Sequence, residues 1–170
     1  MRRNTIYQYY VEGEDEKSII NALKQGLRKI ESGKVEKFNV IQNKFTIARV
    51  RPLKSGTVVI LVYDTDVENN NSILEYNINF LRKQNAIKDV ICVPQVKNLE
   101  DELTRACNVK DITELTKSNS KKDYKRDLIS CTNLSNRLQD CNFDISKFWS
   151  KIPQNIFKKF GNDAERIKLK

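Results

Sequence analysis

Residues 56–66 read Gly-Thr-Val-Val-Ile-Leu-Val-Tyr-Asp-Thr-Asp, and the fold is decided there. Val58 to Tyr63 is a continuous apolar run of the kind required of a strand covered on both faces, as in a parallel sheet. It stops abruptly at Asp64-Thr65-Asp66. Upstream, Thr5 to Val11 (TIYQYYV) is β-branched and aromatic, which predicts a second strand, ending in Glu12-Gly13. Asp15 is then expected to cap a helix whose apolar residues Ile19, Ile20, Leu23, Leu27 and Ile30 recur every three or four positions, with its end near Ser32-Gly33. Residues 35–54 are the least legible: a strand is expected around Phe38–Ile41, and Phe45–Val50 fits either a strand or one helical turn.

Downstream of the central strand, Ser72 and Glu75 have capping-box spacing before a helix carrying Ile73, Leu74, Ile78 and Leu81. Asp89–Pro94 predicts another strand, and Asn98 a cap for a helix that opens Leu99-Glu100-Asp101-Glu102-Leu103. The order βα(β)βαβα predicts an α/β, Rossmann-like parallel sheet of about four strands flanked by helices. Right-handed crossovers leave every strand C-terminus on one edge. The rest reads as helical: Asp111 and Glu114 form a second capping box, and Tyr124, Leu128, Cys131, Leu134, Leu138 and Cys141 mark one long amphipathic stretch. Asp144 is expected to cap a short helix bearing Ile145, Phe148, Trp149 and Ile152, stopped by Pro153. A core of residues 1–108 with a basic helical extension, 109–170, packed on the same domain is therefore expected.

The 170 residues, 39% hydrophobic and 31% charged, suffice for one ordinary core. No apolar run approaches the roughly 20 residues of a membrane span, and Met1-Arg2-Arg3-Asn4 lacks the apolar core of a signal peptide, which predicts a soluble, cytoplasmic protein without a membrane partner. Histidine is absent, which excludes Ser-His-Asp and Cys-His catalysis and histidine-ligated zinc. Cys92, Cys107, Cys131 and Cys141 lack CxxC spacing and lie in apolar segments, as reduced core thiols do. The net charge is +9, with 16 basic and 14 acidic residues in 1–104 against 15 and 8 in 105–170. The basic tail half points to a polyanionic partner, nucleic acid or nucleotide. Lys121, Lys122, Lys125 and Arg126 are its candidate phosphate contacts, or else a solvated helix face, with Lys125 the best single candidate.

Acidic groups follow three predicted strands: Glu12 with Glu16, Asp64 with Asp66, and Glu100 with Asp101 and Glu102. The C-terminal edge of an open parallel sheet is where ligands bind, so these groups are expected to converge. Converging carboxylates repel unless a cation neutralises them, and oxygen-only ligands select a hard ion such as Mg²⁺ or Mn²⁺. Each group taken alone also reads as a solvated loop residue or helix cap.

Val11-Glu12-Gly13-Glu14-Asp15-Glu16 resembles the hhEGxxE motif of Toprim domains of the OLD-type (overcoming lysogenization defect) nucleases, and Val62-Tyr63-Asp64-Thr65-Asp66 resembles their hhDxD motif. In size and layout the chain is similar to small stand-alone Toprim proteins such as the RloB-like group, over roughly residues 5–105. The resemblance implies that Glu12 is the acid/base or metal-binding glutamate and that Gly13 lets the backbone turn beside the metal. It further implies that Glu16 is a second carboxylate, that Asp64 and Asp66 hold Mg²⁺, and that Glu100 or Glu102 supplies a further acid. Asp66 is followed by Val67-Glu68-Asn69 and not by the third aspartate and glycine of DxDxDG, so strand passage and primer synthesis lose support. The expectation is metal-dependent phosphodiester hydrolysis of DNA or RNA, with a role in phage defence and an ATPase partner. The rivals are a non-catalytic metal- and nucleic-acid-binding Toprim module, and a DxD transferase or a haloacid-dehalogenase-type phosphatase. The latter two fit less well, because the chain is short for the transferase and the phosphatase wants DxD on its first strand. Tyr9, Tyr10, Phe148 and Trp149 read as packing and not as base-stacking platforms.

Overall fold

The computed structural model describes residues 4–66 and 70–170. Four strands, β1 (Ile6–Val11), β2 (Lys34–Lys37), β3 (Thr57–Asp64) and β4 (Ile87–Gln95), form one sheet in the order β2-β1-β3-β4. Every pairing is parallel. The central strand is buried from Thr57 to Tyr63, as a doubly covered strand must be. Alternate residues divide the core: Tyr9, Ile60, Val62 and Val93 face one layer, while Tyr10, Val59, Leu61 and Cys92 face the other.

The first layer contains α1 (Glu14–Asn21) and α4 (Leu99–Ala106), joined by α5 (Thr113–Thr116), α6 (Tyr124–Ser130) and α7 (Leu134–Asp140). The second contains α2 (Ile47–Val50), α3 (Ser72–Arg82) and the loop through Val40, Ile41 and Phe45. Residues of the tail enter both layers, with Trp149, Ala164 and Ile167 in the first and Phe157 in the second, so the extension completes the one core. Tail residues run along the outer edge of β4, where Asp163 N donates to Cys92 O (2.9 Å), which covers an otherwise open strand edge. Among the described residues no helix is long and apolar enough to cross a membrane. The four cysteines are free thiols.

Several local expectations need correction. The first helix starts at Glu14, with Gly13 and not Asp15 at the cap, and changes to a π-helical turn over Ala22–Gly26 well short of Ser32. The second strand lies at Lys34–Lys37 and not Phe38–Ile41, whose Val40 and Ile41 are drawn into the core beneath α3 instead. Of the two readings of Phe45–Val50, the helical turn is the one formed. Asn71, not Ser72, precedes α3, and Ser72 N donates to Asn70 Oδ1 (2.7 Å). The long tail helix is two, broken between Ser130 and Leu134. Asp144 caps a turn through Ser146 N (2.9 Å), but no helix follows, because Trp149 takes a left-handed backbone with φ +50°.

Candidate metal centre

In the order β2-β1-β3-β4 the chain steps from β1 outward to β2, then returns to β3 on the other side of β1. The crevice beyond the C-terminal ends of β1 and β3 is therefore the topological switch point, where no crossover covers the strand ends. Glu12 leaves β1 and Asp64 ends β3 at that crevice, and Glu16 enters it from the first turn of α1. One carboxylate oxygen from each of Glu12, Glu16 and Asp64 lies within 4.8 Å of the others. Gly13 has an extended backbone (φ −143°), so the turn does not need glycine. Its contribution is room: a Cβ there would meet Asp15 Oδ1 at 2.8 Å and Glu16 Oε2 at 3.1 Å. Gly13 N donates to Glu16 Oε2 (3.0 Å), which fixes that carboxylate at the positive end of α1.

Burial, then a side-chain hydrogen bond with Asp15 and the charges of Asp15 and Asp64, push the Glu16 carboxyl well above the usual range, although a hydrogen bond from its own backbone works in the opposite direction. Burial and the neighbouring Glu12 do the same to Asp64, against a hydrogen bond from Gln95 that lowers it. Three oxygen ligands at a partly buried, mutually repelling site are the donor set of a hard cation, so the residues present fit Mg²⁺ or Mn²⁺.

Asp64 is held from behind. Gln95 Nε2 donates to Asp64 Oδ1 (2.7 Å), and Trp149 Nε1 donates to Gln95 Oε1 (3.3 Å). Thr65 N and Asp66 N both donate to Lys97 O (2.9 and 3.1 Å), tying the aspartate loop to the end of β4. Gln95, at the end of the strand beside Asp64, is the residue sequence reading missed. Its signal was its position in register with Asp64 on a neighbouring parallel strand.

The other expected acids fare differently. Asp66 is exposed at the rim, within 3.5 Å of Asn98 Nδ2, and raises Asp64 by its charge without joining the trio. Glu100 is half-buried and acts on Tyr124 and Lys125 through its charge. Glu102 is corrected from metal ligand to structural anchor: it is fully buried, with Oε1 accepting from Val96 N (2.9 Å) and Arg105 (2.7 Å) and Oε2 from Trp149 N (2.8 Å). Both oxygens are committed to neutralising Arg105 and holding the left-handed turn at Trp149.

The four tail cations have separate surroundings. Lys125 reaches Asp15 (3.8 Å) at the edge of the trio, and the Asp15 charge, followed by those of Glu16, Glu100 and Asp64, raises its ammonium against its own burial. Lys121 pairs with Asp111 (3.4 Å), and Arg126 with Asp123 and Asp127 (3.3 Å each). Lys122 is exposed. The buried Tyr124 hydroxyl, without a hydrogen-bond partner among the described residues, is raised by burial and then by the charges of Asp15, Glu100, Glu16 and Asp64.

A concavity of about 850 Å³ lies at the other edge of the sheet, against Ile6, Tyr7, Thr57 and Leu53, and holds none of these carboxylates. A second, of about 550 Å³, opens beside Glu12 and is lined by Lys37, Phe38, Asn43, Lys44 and Arg49. No family model, curated protein or solved structure matches this chain.

Proposed function

We propose that the trio is the centre of a Toprim-type, metal-dependent phosphodiesterase acting on nucleic acid. The observation that carries the reading is the convergence of Glu12, Glu16 and Asp64 within 4.8 Å at the switch point of a parallel sheet. Those three residues would hold Mg²⁺ or Mn²⁺, which when bound supplies a water of lowered pKa and a counter-charge for the leaving oxygen. The chain's own contribution is placement. Gln95 orients Asp64, Gly13 N fixes Glu16, and Lys125 offers a cation at the rim for a phosphate oxygen. Glu12, half-buried and free of the cap that engages Glu16, is the carboxylate best placed to accept a proton from an attacking water.

The motif resemblance extends this reading to phage defence beside an ATPase partner. The test is an Mg²⁺- or Mn²⁺-dependent cleavage assay on mixed DNA and RNA, with Asp64→Ala as control. Cleavage by the wild type alone supports the reading. Mn²⁺ binding without cleavage would favour the non-catalytic module, and equal cleavage by both proteins would place the activity elsewhere.

A further inference from the structure

We infer that the open groove beside Glu12, on the β2 side of the trio, is the track for the nucleic-acid backbone, gripped by Lys37, Lys44 and Arg49. The inference rests on the phosphodiester reading above and names where its polymer lies. The groove, about 550 Å³, shares Glu12 with the metal centre, so a strand lying in it is continuous with a phosphate at the trio. Three cations line it within one stretch of chain, and its one carboxylate is Glu12 itself. Lys37 and Arg49 pair across solvent with Glu14 (3.5 Å) and Glu36 (3.6 Å), while Lys44 lies over the Tyr76 ring at 4.8 Å and enters no ion pair among the described residues. Such exposed pairs hold weakly and exchange readily for a phosphate. Arg49 also stacks on Phe38 (4.3 Å), which sets its guanidinium as a flat donor at the groove wall.

The groove is built and not merely left over between loops. Asn77 of α3, fully buried, accepts from Phe45 N (2.8 Å) and donates to Val40 O (2.9 Å) and Asn43 O (2.8 Å). Val40, Ile41 and Phe45 point down into the core, which leaves the polar side chains of the same loop to face outward. The amide clamp and apolar floor fix the loop that carries Lys44, between Lys37 at the end of β2 and Arg49 in α2.

The experiment is binding of a fluorescent single-stranded oligonucleotide in EDTA across a salt series, for wild type, Lys37→Gln/Lys44→Gln/Arg49→Gln, and Lys121→Gln/Lys122→Gln/Arg126→Gln. Circular dichroism melting confirms the fold of each, and Mn²⁺ titration without oligonucleotide reads the metal centre separately. The groove triple should lower the salt slope by about two units, at about 0.7 per phosphate contact on a single strand. It should retain Mn²⁺ affinity within about twofold. An unchanged slope in the folded groove triple, loss of slope in the tail triple alone, or a wild type that shows no salt-dependent binding would each overturn the inference. Salt-dependent binding through the groove together with absent Mg²⁺ cleavage would leave the groove standing and remove the hydrolytic reading instead.

Discussion

On the α6 side of the trio, Lys121, Lys122, Lys125 and Arg126 crowd into six consecutive positions, whereas on the β2 side Lys37, Lys44 and Arg49 are spread over thirteen. Both sides contain ion-paired cations, so pairing does not distinguish them. Concavity does. Lys125 alone of the first group reaches the centre, while all three of the second line one groove with Glu12. Lys121 and Lys122 lie in the turn before α6, whereas Lys125 and Arg126 lie in its first turn, where successive side chains diverge by about 100°. The sparse set comes from three elements, Lys37 from the end of β2, Lys44 from the clamped loop and Arg49 from α2, and the fold gathers all three onto one wall. Charge density along the chain is therefore a poor guide to charge density in space.

The largest effect is expected at the point both flanks serve. Asp64→Asn should reduce Mn²⁺ affinity, read by calorimetry, by more than about 100-fold, the upper range for losing even an outer partner of a metal ligand. The same change should raise the melting temperature of the metal-free protein, because it relieves carboxylate repulsion. A variant that binds Mn²⁺ like wild type would detach both flanks from any shared centre.

Asn77→Ala should cost about 3 kcal/mol in urea unfolding, since it strands one buried N–H and two carbonyls. Oligonucleotide binding should weaken with it while Mn²⁺ affinity holds, which would separate the β2 flank from the trio. Glu102→Gln offers the converse test. It should destabilise by about 2 kcal/mol, because Arg105 loses its buried counter-charge, and leave Mn²⁺ affinity unchanged. A selective loss of Mn²⁺ binding in a stable protein would restore Glu102 as a ligand.

A further effect concerns pH. Glu16 and Asp64 are raised from 4.5 to about 9 and from 3.8 to about 8, so the folded state binds more protons than the unfolded chain between those limits. Stability of the metal-free protein is then greatest below about pH 4 as far as these groups act, and falls as pH rises toward about 9. Thermal melts in EDTA should show the decline across this whole window, from about pH 4 to about pH 9, and saturating Mn²⁺ should flatten it. The smallest effect is expected for Lys121→Gln/Lys122→Gln/Arg126→Gln, which should change the oligonucleotide salt slope by less than about one unit. A larger change would return the polyanion surface to α6.

The elements legible in the sequence were those whose pattern is set by burial on both faces. Val58–Tyr63 could only be a central strand, and Asn98 capped α4 as expected, accepting from Asp101 N (3.0 Å). Glu12 and Asp64 were legible because a strand end in a parallel sheet fixes an edge and a direction. Residues 35–54 were opaque because their apolar side chains answer to Asn77 and α3, more than thirty residues away, and not to a local period. Glu102 misled for a related reason: its partners Val96 and Arg105 are near in sequence, but Trp149, which commits its second oxygen, is not.

The line Trp149–Gln95–Asp64 also orders events in time. β1 and β3 can pair, and bring Glu12 and Asp64 together, as soon as the first 64 residues are free to fold. The indole that steadies Gln95, and through it Asp64, arrives more than eighty residues later. Contacts of such long range form late, after the entropy of closing the intervening chain has been overcome. A nascent chain, or one clipped before Trp149, would thus carry the acidic residues without the brace that aligns them, so that competence at the centre reports on the integrity of nearly the whole polypeptide.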